Sequence, residues 1–256
     1  LISIIGVYGA SFFIYFLSAF IALSCIFRNK IYFSLGILSA LIFFPQNNFH
    51  PDHSDKSIEV GIIQPSLDPF KKFQADEATN IEETLLNLSE KHSNADLIIW
   101  PESPFPYLNS SPQMKALLSE TDNLPIILSG TWEYNNNKLF NALTLLGTNQ
   151  SYYKRHLVPF GEYVPFENII RGLIEFFDLP MSSITEGRSK QELFNVKGFK
   201  VLGMICFDVA FPLSFIEETK NADFIVNISN DTWFGSSYGP YQHLQIVRAR
   251  ALDANK

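Results

Sequence analysis

Residues 1–27, LISIIGVYGASFFIYFLSAFIALSCIF, contain no charged side chain. No other feature restricts the fold as strongly, because about 20 apolar residues in a helix suffice to cross the hydrocarbon core of a bilayer. A second uncharged run, IYFSLGILSALIFF, covers residues 31–44 and stops at Pro45. It is short for a span, although the flanking QNNF and a modest thinning of the bilayer would accommodate it. The competing reading of that run is a buried core helix or an interfacial segment. We expect two transmembrane helices, about 1–27 and 31–45, followed by a polar linker at 46–57. A secretory signal would place a basic region before a short apolar stretch. Here no basic residue precedes the run, the run is too long, and residue 1 is not Met. The chain therefore reads as a fragment that begins partway through a longer membrane protein.

Arg28 and Lys30 lie between the two apolar runs, and residues 1–50 hold no acidic residue. The positive-inside rule puts this short basic loop in the cytoplasm. With two spans, the segment after Pro45 emerges on the opposite side, which in a bacterium is the periplasm. That segment carries 17 basic and 26 acidic residues, a balance that argues against nucleic acid as a partner. Of the two cysteines, Cys25 sits in the first apolar run and Cys206 in the polar part, so no disulfide framework exists. A lone thiol in an oxidising compartment is a liability without a use, which favours a functional thiol.

Beyond the linker, apolar strand-like runs alternate with helical stretches. IEVGIIQ (58–64), ADLIIW (95–100), PIILSGTW (125–132), LFNALTLLG (139–147), FKVLGMICF (199–207) and ADFIVNIS (222–229) read as strands, with NNNK as a hairpin turn. The last two are continuous apolar runs, as in strands buried on both faces. Residues 76–93 read as a helix with Ile81, Leu85 and Leu88 on one stripe. SPQMKALLSE (111–120), PLSFIEETKN (212–221) and residues 240–255 read as further helices. This pattern gives an α/β layered domain with helices covering a sheet; periodicity leaves open whether there is one sheet or two.

Three residues stand out as candidates for chemistry. Cys206 closes a buried strand in GMICFDVAFP. A free cysteine is most often a small buried hydrophobe, but Asp208 follows closely, and the helix begun at Phe211-Pro212 presents an N-terminus that favours a thiolate. Glu102 ends a buried strand in LIIWPESPFP, a setting suited to a general base, although a solvated loop glutamate fits equally well. Lys154 follows the aromatic SYY, and Glu162 lies nearby in PFGE; alone, such a lysine would be a surface charge. GSSYG (235–239) matches G-x-S-x-G in form only, since NDTWF separates it from the strand a nucleophile elbow requires. The five histidines are scattered, with His50 and His53 in the linker, and no metal-ligand cluster is visible. A phosphate cradle has no support either.

Together, WPES, YYKRHLVPFGEYVPF, LPMSS, GMICFDVAFP and NDTWFGSSYGPYQHLQIVRARALDANK resemble the nitrilase (carbon–nitrogen hydrolase) superfamily. Within it they are similar to the membrane-anchored branch, the bacterial apolipoprotein N-acyltransferases. The resemblance spans residues 58–256. It implies a nitrilase-like αββα sandwich, truncated at its C-terminus, on the periplasmic side of the inner membrane behind a multi-pass bundle. It further implies a catalytic triad of Glu102 as general base, Lys154 at the oxyanion and Cys206 as nucleophile. Glu162, Asp208 and Phe207 become supporting residues; Phe207 and Asp208 occupy positions often filled by Tyr and Glu. Lys72-Phe73 fill a place where an aromatic follows a lysine. Phe73, Trp233, Phe176 and Phe177 become candidate substrate contacts, the last two in ENIIRGLIEFFDLPM (167–181), an apolar arm suited to admitting acyl chains. Arg155 and Glu167 are read as structural or rim charges, and His156 as packing or hydrogen-bonding support. The implied reaction needs no metal or cofactor. It passes an acyl chain from a phospholipid, through a thioester on the cysteine, to the N-terminal amine of a diacylglyceryl-modified apolipoprotein, with the enzyme a monomer. The alternative is a membrane-tethered amidase of the same superfamily that hydrolyses a C–N bond with the same triad.

Overall fold

The computed structural model describes residues 2–42, 56–74, 77–166 and 183–256. The chain divides into two compact units, Leu1–Asp55 with Gln245–Lys256, and Lys56–Leu244.

In the first unit, α1 (Ile2–Phe27) packs beside α2 (Lys30–Ile42). Gly6 interrupts α1 with φ 68, a left-handed conformation suited to glycine. The most apolar window of α1 has a mean hydropathy of 2.2, yet only Ala10 and Phe13 along the helix are buried. Ile4, Phe12, Tyr15 and Ile26 point outward, and a patch of this kind requires an apolar environment. α1 is long and apolar enough to cross a membrane. The 13 residues of α2 rise about 20 Å, short of the roughly 30 Å hydrocarbon core. The end of the expected second span and most of the expected linker lie outside the described residues.

The second unit holds two sheets. In the first, β1 (Val60–Ile62), β2 (Leu97–Ile99) and β3 (Ile126–Asn135) run parallel. β4 (Lys138–Leu145) and β5 (Ser151–Tyr153) follow antiparallel, in the order β1-β2-β3-β4-β5. The β3–β4 turn is the expected one: Asn136 and Asn137 have φ 49 and 59, the pair of positive values that a two-residue hairpin with native twist requires. In the second sheet, β6 (Phe194–Val196) pairs antiparallel with β7 (Phe199–Ile205), which pairs parallel with β8 (Phe224–Ile228). The β6–β7 hairpin was not read from the sequence. Its turn is Lys197-Gly198, with φ 50 and 84, and a lysine at the first position conceals the usual Asn-Gly signal.

Helices α3 (Glu77–Glu90) and α4 (Pro112–Glu120) cover the first sheet. Ile81, Leu85, Met114 and Leu117 pack with Ile98, Trp100 and Ile127. Ser111 caps α4 by accepting from the Met114 amide at 3.1 Å. On the other face, β4 meets β7 at Gly203, where any Cβ would lie 2.7 Å from Leu143 Cδ2. This bare backbone lets the two sheets close on each other. α5 (Ile216–Asn221) packs on β7, giving the order helix, sheet, sheet, helix. The chain ends in α6 (Gly239–Ala254).

Candidate active site

β2 ends at Ile99, and Pro101, which lacks an amide proton, carries the chain out of the ladder so that Glu102 turns toward β4. Ser103 follows, buried, with φ 39. The loop lies against Gly130 of β3, whose amide donates to the Pro101 carbonyl at 3.2 Å. A Cβ at Gly130 would lie 2.2 Å from the Ser103 nitrogen and 2.6 Å from the Pro101 oxygen. Glycine there is a condition for the position of Glu102.

Lys154 is the first residue after β5, and its amide donates to the Asn141 carbonyl on β4 at 2.9 Å. Its ammonium, 2% exposed, lies 3.3 Å from Glu102 Oε1 and 2.9 Å from Glu162. Glu162 returns to the site through a turn in which its amide donates to the Val158 carbonyl, while the Val158 amide donates to Glu162 Oε2, both at 2.9 Å. Asn141 Nδ2 donates to Glu102 Oε1 at 2.8 Å and to Glu162 Oε1 at 3.0 Å. Ser103 Oγ donates to Asn141 Oδ1 at 2.9 Å. The Asn230 amide donates to the second oxygen of Glu102 at 3.1 Å. Burial works to lower the pKa of Lys154, but Glu102 and then Glu162 outweigh it and hold the ammonium protonated.

Cys206 stands where β7 ends. The strand read as running to Phe207 stops at Ile205, and residues 206–210 form a 3₁₀ turn. Cys206 has φ 48, a conformation that costs a residue bearing a Cβ about 1–3 kcal/mol and persists where the surroundings impose it. The thiol is pushed up to about 12, first by burial and then by the charge of Glu102, with Lys154 and a hydrogen bond with Ser229 opposing. The expected helix-end thiolate is therefore not the resting form; the thiol is. The Glu102 charge favours the thiol, and the Lys154 charge favours the thiolate.

Asp208 is fully buried and accepts five hydrogen bonds. They come from Tyr152 Oη at 2.8 Å, the Ile205 amide at 3.2 Å, the Arg155 and His156 amides at 3.2 and 2.8 Å, and His156 Nδ1 at 3.1 Å. It ties the turn holding Cys206 to the segment that follows Lys154. Arg155 is no rim charge: it is buried, pairs with Glu218 at 2.7 Å and lies over the Phe215 ring. His156 stacks on Phe211 with ring centroids 4.0 Å apart, as expected of packing support.

Phe207 is part-exposed and packs edge-on against Phe211. Trp233 packs edge-on against Phe70. Phe73 is exposed under the ammonium of Lys72. Phe176, Phe177 and Glu167, with the rest of the apolar arm, lie outside the described residues. Lys72 is buried, donates to the Ser103 carbonyl at 2.9 Å and is lowered to about 8 by burial, with Glu102 opposing. A cavity of about 360 Å³, lined by Leu67, Trp100, Glu102, Ser229, Asn230 and Asp231, opens beside the Glu102 carboxylate.

Sequence reading missed Asn141, Asn230, Asp231 and His243. All four are polar residues on strands, turns or helices with no local signature; only the fold brings them in. It also expected no cluster of metal ligands, whereas Cys206, Asp231 and His243 each place one ligand atom within 4.8 Å of the others. Both nitrogens of His243 are already engaged, with Asp231 and with the Cys206 carbonyl. A cation there would displace both bonds.

The model of the family described as carbon–nitrogen hydrolase matches residues 59–256. The chain belongs to the carbon–nitrogen hydrolase family. An apolipoprotein N-acyltransferase from Pseudomonas syringae pv. tomato is 32% identical over 89% of this chain and 48% of its own length. One from Vibrio vulnificus is 33% identical over 79% of this chain and 43% of its own. The chain thus spans about half the length of these curated relatives. The carbon–nitrogen hydrolase fold itself recurs in a crystal structure from Xanthomonas campestris, described as a CN-hydrolase superfamily protein with an arsenic adduct in its active site. That structure has a TM-score of 0.51 and 21% identity, over 69% of this chain and 67% of the other.

Proposed function

We propose that this chain carries the catalytic part of an apolipoprotein N-acyltransferase. Glu102, Lys154 and Cys206 form its triad, and Glu162, Asn141 and Asp208 position them. The observation that carries this reading is the Glu102–Lys154–Glu162 array, in which Lys154 and Glu162 are buried and whose charges act on a neutral thiol held in a left-handed turn. The names of the relatives and the apolar α1 supply the substrate class and the membrane.

In this reading Glu102 takes the Cys206 proton as the sulfur attacks the ester carbonyl of a phospholipid. Lys154 and a backbone N–H near Cys206 hold the negative charge of the tetrahedral oxygen. Collapse breaks the ester C–O bond, Glu102 returns its proton to the departing oxygen, and lysophospholipid leaves an acyl thioester on Cys206. The α-amine of a diacylglyceryl-cysteine then attacks the thioester and gives its proton to Glu102, and the N-acylated product leaves the thiol restored. The catalytic unit faces the periplasm and the enzyme needs no metal.

The test uses membranes bearing the full-length protein and labelled phospholipid. A hydroxylamine-sensitive acyl adduct is expected, lost in Cys206→Ser and retained in Cys25→Ser. Persistence of the adduct in Cys206→Ser would overturn the nucleophile assignment. Transfer of the label to water in place of the lipoprotein amine would favour the amidase reading.

A further inference from the structure

The left-handed peptide at Cys206 has a brace of its own. The Cys206 carbonyl accepts from Asn227 Nδ2 at 3.3 Å and lies 3.2 Å from His243 Nε2. The other ring nitrogen, Nδ1, lies 2.8 and 3.0 Å from the two oxygens of Asp231. A carbonyl and a carboxylate can only accept. A neutral imidazole has one N–H and satisfies one of them; the imidazolium satisfies both. Asp231 is itself fixed by the Ser229 hydroxyl, which donates at 2.6 Å. The residue between these two, Asn230, donates its amide to Glu102. A single turn, 229–231, thus orients the proposed base and anchors the histidine that holds the proposed nucleophile.

We propose that His243, doubly protonated against Asp231, is a positioning residue for Cys206. It fixes the left-handed peptide that aims the thiol and places a cation within reach of the sulfur. The inference rests on Cys206 being the nucleophile. The hydrogen bond that the imidazole donates to Asp231 holds the imidazole above its ordinary range against burial, with Glu102 adding to the effect. Asp231 is held below the usual carboxylate range, its hydrogen bonds to His243 and Ser229 outweighing burial. Among the described residues, Asp231, Glu102 and the thiol face His243; Lys154 acts on the thiol directly, and Lys72 is coupled to the site through Glu102.

The experiment measures alkylation of Cys206 by iodoacetamide against pH in the full-length Cys25→Ser protein, alongside kcat and KM for acyl transfer. The unsubstituted histidine is expected to make the profile depart from a single-thiol curve as the imidazolium loses its proton. His243→Gln and His243→Ala are expected to remove that departure. His243→Ala should lower kcat roughly 10–100-fold, as for a lost charge-assisted hydrogen bond, and change KM by less than about twofold, the pattern of a lost transition-state interaction. His243→Gln, which keeps a donor without the charge, should recover part of kcat. Should His243→Ala fail to fold, Asp231→Asn must remove the same departure. An unchanged alkylation profile in folded His243 variants overturns the proposal, as does a raised KM with kcat intact. Failure of the nucleophile reading shows separately, as an adduct that survives Cys206→Ser.

Discussion

At the residue scale, the site is three charges around a neutral thiol, and each charge has a distinct consequence. Glu102 is both the proposed base and, after burial, the main influence keeping the Cys206 proton in place. Glu102→Gln should therefore separate two properties. Acyl transfer should fall by about 10²–10⁴-fold with the loss of general base catalysis. Alkylation of Cys206 at mildly alkaline pH should speed up, because the thiolate no longer faces an anion. A thiol that reacts more slowly in Glu102→Gln would contradict this account. Lys154 is buried between two carboxylates, so Lys154→Met leaves like charges facing each other. The unfolding free energy should drop by about 3–5 kcal/mol, as for other broken buried pairs, seen as a lower urea midpoint. Sequence reading reached Glu102, Lys154, Glu162 and Cys206 because each stands in a distinctive local string. It could not reach Asn141 or His243, whose significance lies wholly in what faces them.

At the element scale, the ends of β2, β5 and β7 deliver Glu102, Lys154 and Cys206, and two devices hold those ends together. Asp208 fastens the turn after β7 to the segment after β5 through buried amides. Asp208→Ala leaves several buried donors unpaired at about 1–3 kcal/mol each. A loss of at least about 3 kcal/mol in chemical denaturation is expected, with Asp208→Asn milder because it retains one acceptor. Gly130 is the second device. Gly130→Ala should push the loop carrying Glu102 off its place, since the new methyl would meet backbone atoms of Pro101, Glu102 and Ser103 in that loop. Acyl transfer is expected to fall at least about tenfold, and alkylation of Cys206 to rise as the Glu102 charge withdraws. Most strands and helices were legible because apolar periodicity and turn chemistry act locally. β6 and the 3₁₀ turn at Cys206 were not. A three-residue strand has too few positions to show alternation, and a strand that ends in a left-handed cysteine reads as uninterrupted apolar sequence.

At the scale of the whole molecule, the outward apolar side chains of α1 belong to a helix long and apolar enough to cross a membrane. The chain is expected to stay with membranes through high-salt and alkaline carbonate washes, and to dissolve only in detergent. Release by carbonate would make α1 a core helix of a soluble assembly. The sequence by itself determined the apolar N-terminus, the α/β class and the triad candidates. The first two depend on composition and periodicity, which act locally; the triad candidates depend on the resemblance of the strings around Glu102, Lys154 and Cys206 to a known family. Only the tertiary structure decided that Asp208 is a buried acceptor joining two turns, that Arg155 is buried, that the thiol rests protonated, and that Asp231 and His243 stand behind Cys206. Each of these depends on the field and the hydrogen-bond partners at one point in space. Residues more than a hundred positions apart in sequence create that point, as Glu102 and Asn230 do.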